Sequence, residues 1–237
     1  MLRSMAHHYV AVSRDLGQWL KEKVKIAPNM VKQIYNVMDM QIFHSKDSQR
    51  HEVLPSGFAD SEYVVIGTLG RIQRVKSQSM LVQAFSCLVK SHPDLAQKIR
   101  LVIVGDGPLL KELQEAVRDA HLGDLTWMPG ERGNIPQVLQ ALDVFVLFSE
   151  AEGLSDTILK AMVLRLPSIA TRVGGNAELV IEGKTGLLIP PKDPGALAIL
   201  AYIQHPDFVR SHGEAGRLRV EQEFSLHSYN VEISQTL

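Results

Sequence analysis

Residues 99–120 read IRLVIVGDGPLLKELQEAVRDA, and this stretch indicates the fold class. The apolar run Ile99–Val104 predicts a strand buried on both faces, as in a parallel sheet. The turn Gly105–Pro108 closes that strand. Leu109–Ala120 then repeats apolar residues at helical spacing, which predicts an amphipathic helix. A buried strand, a tight turn and a helix form the repeating unit of an α/β protein with a parallel sheet.

The same alternation of strand and helix continues outward along most of the chain. Strands are predicted over His8–Ser13, Val31–Tyr35, Glu62–Leu69, Asp124–Met128, Val144–Phe148, Ser168–Ala170 and Thr185–Ile189. Helices are predicted over Asp15–Val24, Gln78–Lys90, Ile135–Leu142, Asp156–Leu164, Asn176–Ile181 and Pro194–Gln204, with two more helical pieces beyond Asp207. We therefore expect an α/β fold with a doubly wound parallel sheet, which binds its ligands outside the carboxyl ends of the strands.

The composition excludes several classes of protein. Of the 237 residues, 45% are hydrophobic and 22% are charged, as in an ordinary globular chain that can bury a sizeable core. Lys and Arg total 25 against 26 Asp and Glu, so the net charge of −1 argues against a strongly basic nucleic-acid-binding protein. The longest apolar runs, such as Val144–Phe148, are far shorter than a membrane span.

The single cysteine bears on the cellular compartment. Cys87 has no partner within the chain for a disulfide, which favours a reducing compartment, and the N-terminus lacks the apolar region of a signal peptide. We therefore expect a cytoplasmic protein. Cys87 also shares a helical apolar stripe with Leu81, Ala84 and Leu88, which predicts a core position rather than a catalytic one.

The first forty residues follow the alternation poorly, and a polar, irregular stretch from 36 to 55 separates them from the rest. We interpret residues 1–40 as a remnant of another domain and residues 41–62 as a linker. In this interpretation, residues 63–205 form the main domain and residues 206–237 form a C-terminal helical tail.

The loop Gly67–Ser77 follows a predicted strand and precedes a predicted helix. Glycines such as Gly70 let the backbone approach an anion closely, and the amides at a helix start point at it. Arg71 can hold a phosphate through its forked guanidinium, and Lys76 adds a point charge. The pattern is compatible with an anion site, but a solvated basic turn would have the same sequence and is the simpler interpretation.

Two further strand-end loops have the composition of a ligand site. Glu152 can accept hydrogen bonds from sugar hydroxyls, while the amides of residues 153–155 are free to donate. Either Ser155 or Asp156 can cap the helix that follows, and capping with solvated acids is the simpler interpretation. The pair Gly174–Gly175 exposes backbone amides at the same edge, or it forms only a tight turn.

Metal and cofactor motifs are poorly supported. Nine histidines are scattered along the chain, and neither an HExxH nor a CxxC pattern occurs. The glycine pattern that begins at Gly105 lacks the third glycine of a dinucleotide fingerprint, because Leu110 stands in its place. We therefore expect no metal site and no bound cofactor.

Five motifs in a fixed order carry a resemblance to a known family. They are GRIQRVK at 70–76, LVIVGDGPLLKEL at 101–113, DVFVLFSEAEGLSDTILKAM at 143–162, LPSIATRVGGNAELV at 166–180 and GKTGLLIPPKD at 183–193. In their order and spacing they resemble the C-terminal, donor-binding half of a retaining GT-B glycosyltransferase of family 4, also called group 1, from about Tyr63 to Leu200. The segment Ala6–Asp39 is similar to the crossing between the two halves of that family.

The resemblance implies a Rossmann-like domain, one half of a GT-B fold, that binds a nucleotide diphosphate sugar linked to uridine. Arg71 and Lys76 would hold the donor diphosphate, and Glu152 is the candidate catalytic residue, in contact with the transferred sugar. The donor-binding residues implied in this way are Gly70, Arg71, Lys76, Gly105, Glu131, Arg132, Glu152, Gly153, Leu154, Ser155 and Lys160. No metal is implied, because the two cations would neutralise the leaving diphosphate.

The sequence departs from the family pattern in three respects, one of which is that Ser77 and Val37 stand where the family usually has glycine. Lys160 stands where the family has a glutamate that accepts hydrogen bonds from ribose hydroxyls, and a lysine can only donate. Asp156, one helical turn away, and Glu152 are both candidates to pair with it. The family's acceptor-binding half has no counterpart in these residues, so the tail from Phe224 and the strand near His8 would expose apolar surface.

Three hypotheses follow from these observations. The favoured one is a donor-binding half that transfers a sugar together with a separate acceptor-binding subunit or as a homodimer joined through its exposed terminal segments. The alternative is a truncated or degenerate homologue that binds only nucleotide or a partner. A GT-B enzyme of another kind, such as a sugar-nucleotide epimerase, fits the motifs less well. Loose association with the inner face of a membrane is common in the family, but no basic amphipathic helix supports it here.

Overall fold

The computed structural model describes residues 7–40, 43 and 50–226. Its strands are β1 (Tyr9–Ala11), β2 (Val31–Gln33), β3 (Val64–Leu69), β4 (Ile99–Val104), β5 (Thr126–Gly130), β6 (Val144–Leu147), β7 (Ser168–Thr171) and β8 (Gly186–Ile189). Its helices are α1 (Arg14–Glu22), α2 (Arg50–Val53), α3 (Gln78–Ser91), α4 (Leu110–Asp119), α5 (Ile135–Gln140), α6 (Asp156–Val163), α7 (Asn176–Leu179), α8 (Ala196–Gln204) and α9 (Pro206–Glu223).

Six strands form one parallel sheet in the order β5-β4-β3-β6-β7-β8. Strand β3 pairs with β4 on one side and with β6 on the other, so Ile66 lies beside both Leu101 and Val144. The strand order reverses between β3 and β6, and ligands of such sheets bind at this switch point. The predicted α/β fold with a doubly wound sheet is confirmed.

Both faces of the sheet are covered, which explains the continuous apolar runs in the sequence. In β4, Leu101 belongs to one hydrophobic cluster and Val102 belongs to the other. Helices α3 and α4 cover the first face, where Phe85 of α3 is fully buried. Helices α5 and α6 cover the second face, where Met162 of α6 is fully buried. Successive residues of a strand point to opposite faces, so neither face of β4 can be polar.

Residues before the main sheet form a small unit of their own. Strands β1 and β2 pair in parallel, with Tyr9 beside Val31, and α1 connects them. Ser13 caps α1, because its Oγ accepts a hydrogen bond of 3.1 Å from the amide of Leu16. Val10 on β1 is 57% exposed, as expected of a strand with so few partners.

The C-terminal region follows its prediction in one respect and differs from it in another. Of the two predicted helical pieces, the first corresponds to α9, which packs against α6 and α8. Phe224 is buried rather than exposed, because the chain after α9 joins the segment that follows β2. The amide of Met38 donates to the carbonyl of Phe224 over 2.7 Å, and the amide of Leu226 donates to the carbonyl of Met38 over 3.2 Å. The remainder of the predicted apolar tail, residues 227–237, lies outside the described residues.

Two smaller predictions are also corrected. Cys87 is exposed rather than buried, because Ala84, Phe85 and Leu88 already occupy the face of α3 that meets the sheet. The stretch from 36 to 55 contains a short helix, α2, whose last residue Val53 is buried. No helix in the described ranges combines the length and the apolarity that crossing a bilayer requires.

Candidate functional site

Loops after the first three strands of the sheet order are joined at the carboxyl edge. The amide of Gly70 donates to the carbonyl of Val104 over 3.0 Å, and the amide of Gly105 donates to the carbonyl of Gly130 over 2.9 Å. The loops therefore extend the sheet by one hydrogen bond on each side. This contact brings the GRIQRVK and GDGP motifs together.

The glycines of the GDGP turn are required by close backbone approach. Gly105 has φ +147°, and a Cβ there would lie 2.0 Å from the carbonyl oxygen of Gly70. A Cβ on Gly107 would lie 2.2 Å from the carbonyl oxygen of Ile72. Only a residue without a side chain lets the two loops pack this tightly. The glycine pattern thus serves loop packing, and no dinucleotide fingerprint is needed to explain it.

A cleft of about 490 Å³ opens where these loops meet. It is lined by Leu69, Gly70, Arg71, Val104, Gly105, Asp106, Gly107, Glu131, Arg132 and Ile135. Arg71 and Arg132 are exposed and bring two guanidinium groups to its wall. The guanidinium of Arg132 lies 5.8 Å from the ring centroid of Trp127, and its Nε donates to Asn134 Oδ1 over 3.2 Å. A cleft with these cations can hold an anionic ligand.

Beside the cleft, Lys76 and Glu152 form an ion pair. Lys76 Nζ lies 2.5 Å from Glu152 Oε1, and the hydroxyl of Ser149 donates to the same oxygen over 2.6 Å. The side chain of Glu152 is only 10% exposed, so the lysine balances a largely buried charge. The structure therefore brings Lys76, which lies in the same loop as Arg71, into contact with Glu152, which lies in the loop after β6.

The loop from Ser149 to Ser155, here called the acidic loop, is held on both sides. The amide of Glu150 donates to the carbonyl of Val75 over 2.8 Å, and the amide of Gly175 donates to the carbonyl of Gly153 over 2.9 Å. Gly174 has φ +50°, and a Cβ there would lie 1.8 Å from the carbonyl oxygen of Glu152. The paired glycines therefore make a tight turn against the acidic loop rather than an open row of amides.

The start of α6 settles which residue is its cap. The amide of Ile158 donates to Ser155 Oγ over 3.4 Å, so Ser155 is the cap. Asp156 instead accepts a hydrogen bond of 3.0 Å from the side-chain amide of Asn36. The positive end of the α6 dipole thus points to the same edge as the cations.

Lys160 pairs with neither of its two candidate partners among the described residues. Its Nζ lies 5.9 Å from the ring centroid of Phe43, a cation–π distance. Glu152 is engaged by Lys76, and Asp156 by Asn36. Position 160 thus lies one turn further along α6 than the acidic loop, with a cation where the family pattern has an acid.

Some residues at this edge carry no signal in the sequence. Asn176 is fully buried and donates its side-chain amide to the carbonyl of Thr171 over 3.1 Å. Glu178 reads in the sequence only as an early acid of a short helix, yet it accepts three hydrogen bonds from the unit before the main sheet. Pairs this far apart in the chain leave no local pattern. In the described part of the chain no three ligating side chains come together to hold a metal ion.

Comparisons with known proteins identify relatives of this chain. A family model described as glycosyl transferases group 1 matches residues 63–202. The N-acetyl-alpha-D-glucosaminyl L-malate synthase of Bacillus anthracis is 30% identical over 217 residues, covering 90% of this chain and 55% of that protein. The chain spans between 47% and 60% of the length of the first curated relatives it matches.

Solved structures share the fold. The crystal structure of Anabaena Alr3699/HepE in complex with UDP and glucose has a TM-score of 0.85 at 23% identity, covering 99% of this chain and 64% of that chain. The C-terminal domain of a glycosyl transferase group 1 family protein (LpcC) from Francisella tularensis has a TM-score of 0.67 at 25% identity. That match covers 80% of this chain and 99% of that domain, which confirms the assignment to a C-terminal half.

Proposed function

The chain belongs to the group 1 glycosyl transferases, and from that premise we propose that it binds a nucleotide diphosphate sugar as the donor half of a transferase. The observation that carries the proposal is the cationic cleft at the carboxyl ends of β3, β4 and β5, together with the Lys76–Glu152 pair, which joins the loop after β3 to the loop after β6. We further propose a uridine diphosphate sugar, a reaction that retains the anomeric configuration, and no requirement for a metal.

The cations supply the chemistry that departure of a diphosphate needs. When the bond from the anomeric carbon to the diphosphate oxygen breaks, its electron pair leaves with the diphosphate. Arg71 would stabilise that charge through two parallel N–H donors, and Lys76 would add a second positive charge. The acceptor hydroxyl then bonds to the anomeric carbon on the same face, and its proton passes to the departing phosphate oxygen.

Glu152 would orient the sugar rather than attack it. Both hydrogen bonds given to Glu152 by described residues end on Oε1, so Oε2 is the oxygen placed to accept from a sugar hydroxyl. A hydrogen bond from a sugar hydroxyl to a carboxylate oxygen is stronger than one to a neutral acceptor. Holding the donor in one orientation contributes to rate by positioning.

Calorimetric titration with UDP, UDP-glucose and UDP-N-acetylglucosamine tests the donor site. We expect Arg71→Ala to weaken the affinity about tenfold or more, because a charge-assisted bidentate contact is lost. Arg74→Ala is the matched control, because Arg74 is an exposed arginine of the same loop that does not line the cleft. Equal affinity of wild type and Arg71→Ala would overturn the assignment.

Lys160 separates the proposal from its alternative in the same titration. Wild-type protein that binds UDP tightly argues against a degenerate homologue. Binding that appears only in Lys160→Glu would show that the lysine has abolished an ancestral nucleotide site, and it would favour the alternative.

Partner and location are also proposals. A separate acceptor-binding subunit or a second copy of this chain would cover the small unit before the main sheet, where Val10 and Trp19 are more than half exposed. Light scattering at high concentration distinguishes a monomer from a homodimer. A cytoplasmic location is supported by the single cysteine of the sequence.

A further inference from the structure

Glu178 satisfies the start of a helix that lies far away along the chain. Its Oε2 accepts from the amide of Arg14 over 2.9 Å, and its Oε1 accepts from the amide of Asp15 over 3.0 Å. Ser13 takes the amide of Leu16, the third of α1. The first three amides of α1 are therefore all satisfied, two of them by a residue of the main domain. A carboxylate at this end of a helix is also favoured by the helix dipole.

Tyr35, just beyond β2, bonds to the same carboxylate, so Glu178 holds both the start of α1 and the segment after β2. Its hydroxyl donates to Glu178 Oε2 over 2.7 Å, and its ring packs edge-on against Phe224 with 5.2 Å between centroids. Burial first, and then the hydrogen bond and the charge of Glu178, together raise the pKa of Tyr35 to about 12, against the opposing charges of Arg14 and Arg219. Tyr35 therefore remains a hydrogen-bond donor to Glu178 throughout the neutral range.

The backbone of Glu178 is itself held from the other side. Arg219 of α9 donates from Nη2 to the carbonyl of Glu178 over 2.7 Å and from Nε to the carbonyl of Leu179 over 3.0 Å. The carboxylate is thus mounted on a short helix that α9 fixes to the main domain. If α1 moved away, Glu178 could not follow it without breaking the two hydrogen bonds from Arg219.

The segment held by Glu178 lies directly against the acidic loop. A Cβ on Gly153 would lie 3.3 Å from Val12 Cγ2, and a Cβ on Gly175 would lie 3.0 Å from Ser13 Cβ and 2.2 Å from the carbonyl oxygen of Gly153. Val12 and Ser13 immediately precede α1. The two residues between β1 and α1 therefore pack against the acidic loop and the turn at Gly175.

We propose that Glu178 is a positioning residue for the donor site: by clamping the start of α1 and Tyr35, it keeps Val12 and Ser13 against Gly153 and so fixes the acidic loop beside the cleft. This inference rests on the proposed donor-binding function. It assigns to Glu178 a role in ligand affinity although the glutamate itself touches α1 and Tyr35 rather than the cleft.

Two measurements on the same variants test the clamp. Residue-resolved amide exchange reports whether α1 is released, and calorimetric titration with UDP reports whether the donor site responds. For Glu178→Ala we expect exchange at Arg14–Leu16 to accelerate about tenfold or more while Val102 in β4 is unchanged, because only local opening is affected. We expect the dissociation constant for UDP to rise about fivefold or more, and Glu178→Gln, which keeps one acceptor oxygen, to recover part of both effects.

Glu214→Gln is the matched control, because Glu214 is a glutamate of α9 whose carboxylate forms an exposed ion pair with Arg165 rather than a contact with α1 or Tyr35. It should change neither the exchange of α1 nor the affinity for UDP. If Glu178→Ala does not fold, Tyr35→Phe decides, since it removes one of the three bonds and should move both readouts in the same direction by about twofold.

Each outcome has a definite reading. Faster exchange in α1 with unchanged affinity for UDP would make Glu178 purely structural and overturn the inference. Unchanged exchange would show that no clamp exists and would overturn it as well. Wild-type protein that binds no UDP would overturn the proposed function. If wild type and Glu178→Ala bind UDP equally well, only the clamp is overturned.

Discussion

Around the cleft, Arg71 and Arg132 reach solvent from loops whose backbones are fixed by glycine contacts, whereas the acidic loop largely buries the carboxylate of Glu152 and leaves Glu150 exposed. Glu152 is 10% exposed and has two hydrogen-bond donors from its surroundings, while Arg71 lines an open wall. The cleft and the acidic loop, at one edge of the sheet, thus differ in how far their charged side chains are buried. In the proposed donor site, Arg71 and Arg132 would meet a ligand without supporting the fold, whereas Glu152 would do both.

The sharpest way to break this comparison is to disturb the backbone under the acidic loop. Gly174→Ala places a Cβ where the carbonyl oxygen of Glu152 lies 1.8 Å away, at a φ of +50° that alanine tolerates poorly. We expect the free energy of unfolding to fall by about 3 kcal/mol or more, measured by urea denaturation. Gly133→Ala is the control, since no atom lies within 4 Å of its added Cβ. Equal midpoints for the two variants would mean that the acidic loop is not held as described.

A smaller effect is expected from the ion pair. Lys76→Ala leaves the charge of Glu152 with only the hydroxyl of Ser149, so we expect a loss of about 1–2 kcal/mol in unfolding free energy. Arg71→Ala, on the cleft side, should stay within about 0.5 kcal/mol. The double variant Lys76→Ala/Glu152→Gln should recover part of the loss, because the uncompensated charge is gone. Similar losses for the two single variants would remove the distinction between the cleft and the acidic loop.

The smallest effect concerns a buried group away from the edge, which sets the pH background for the variants above. His212 is 6% exposed, its Nδ1 lies 2.8 Å from the hydroxyl of Tyr202, and burial lowers its pKa below the ordinary 6.5, although Gly183 and Glu182 oppose this. Because the unfolded chain then binds the proton more readily, this contribution is present above pH 6.5 and is lost as the pH falls through the folded pKa.

Urea denaturation at pH 7.5 and 5.5 measures that contribution. We expect wild-type protein to lose less than about 1 kcal/mol through this group, and His212→Gln to lose correspondingly less over the same interval. A variant whose pH dependence equals that of wild type would place the titrating group elsewhere in the chain.

The fold was predictable because burial on both faces leaves a local imprint. Leu101 and Val102 belong to opposite clusters, so a strand such as β4 must be apolar throughout, and the alternation with helices then implies a parallel sheet. The prediction of burial was weaker for helices, because only one face of a helix is buried. Cys87 shares helical spacing with core residues but lies at the edge of the buried stripe, and periodicity alone does not give the width of that stripe.

The site was predictable to the extent that it follows from strand ends. Carboxyl ends of parallel strands converge, so neighbouring loops meet there, as those at Gly70 and Gly105 do and as those at Glu152 and Gly174 do. The partner of a side chain did not follow from this argument. Lys76 and Glu152 are 76 positions apart, and the clamp at Glu178 joins residues 163 and 164 positions away. Contacts of that range depend on how the strands are ordered and twisted, which no short window of sequence records.

The loop between β3 and α3 connects the cleft to the acidic loop. Its first residue, Gly70, is bonded to Val104 on the cleft side, and Val75 near its end is bonded to Glu150 on the other side. Residues 70–76 therefore tether Arg71 of the cleft and Lys76 of the ion pair to both neighbouring loops. In the proposed donor site, a movement of either cation would have to be accommodated within that short tethered stretch.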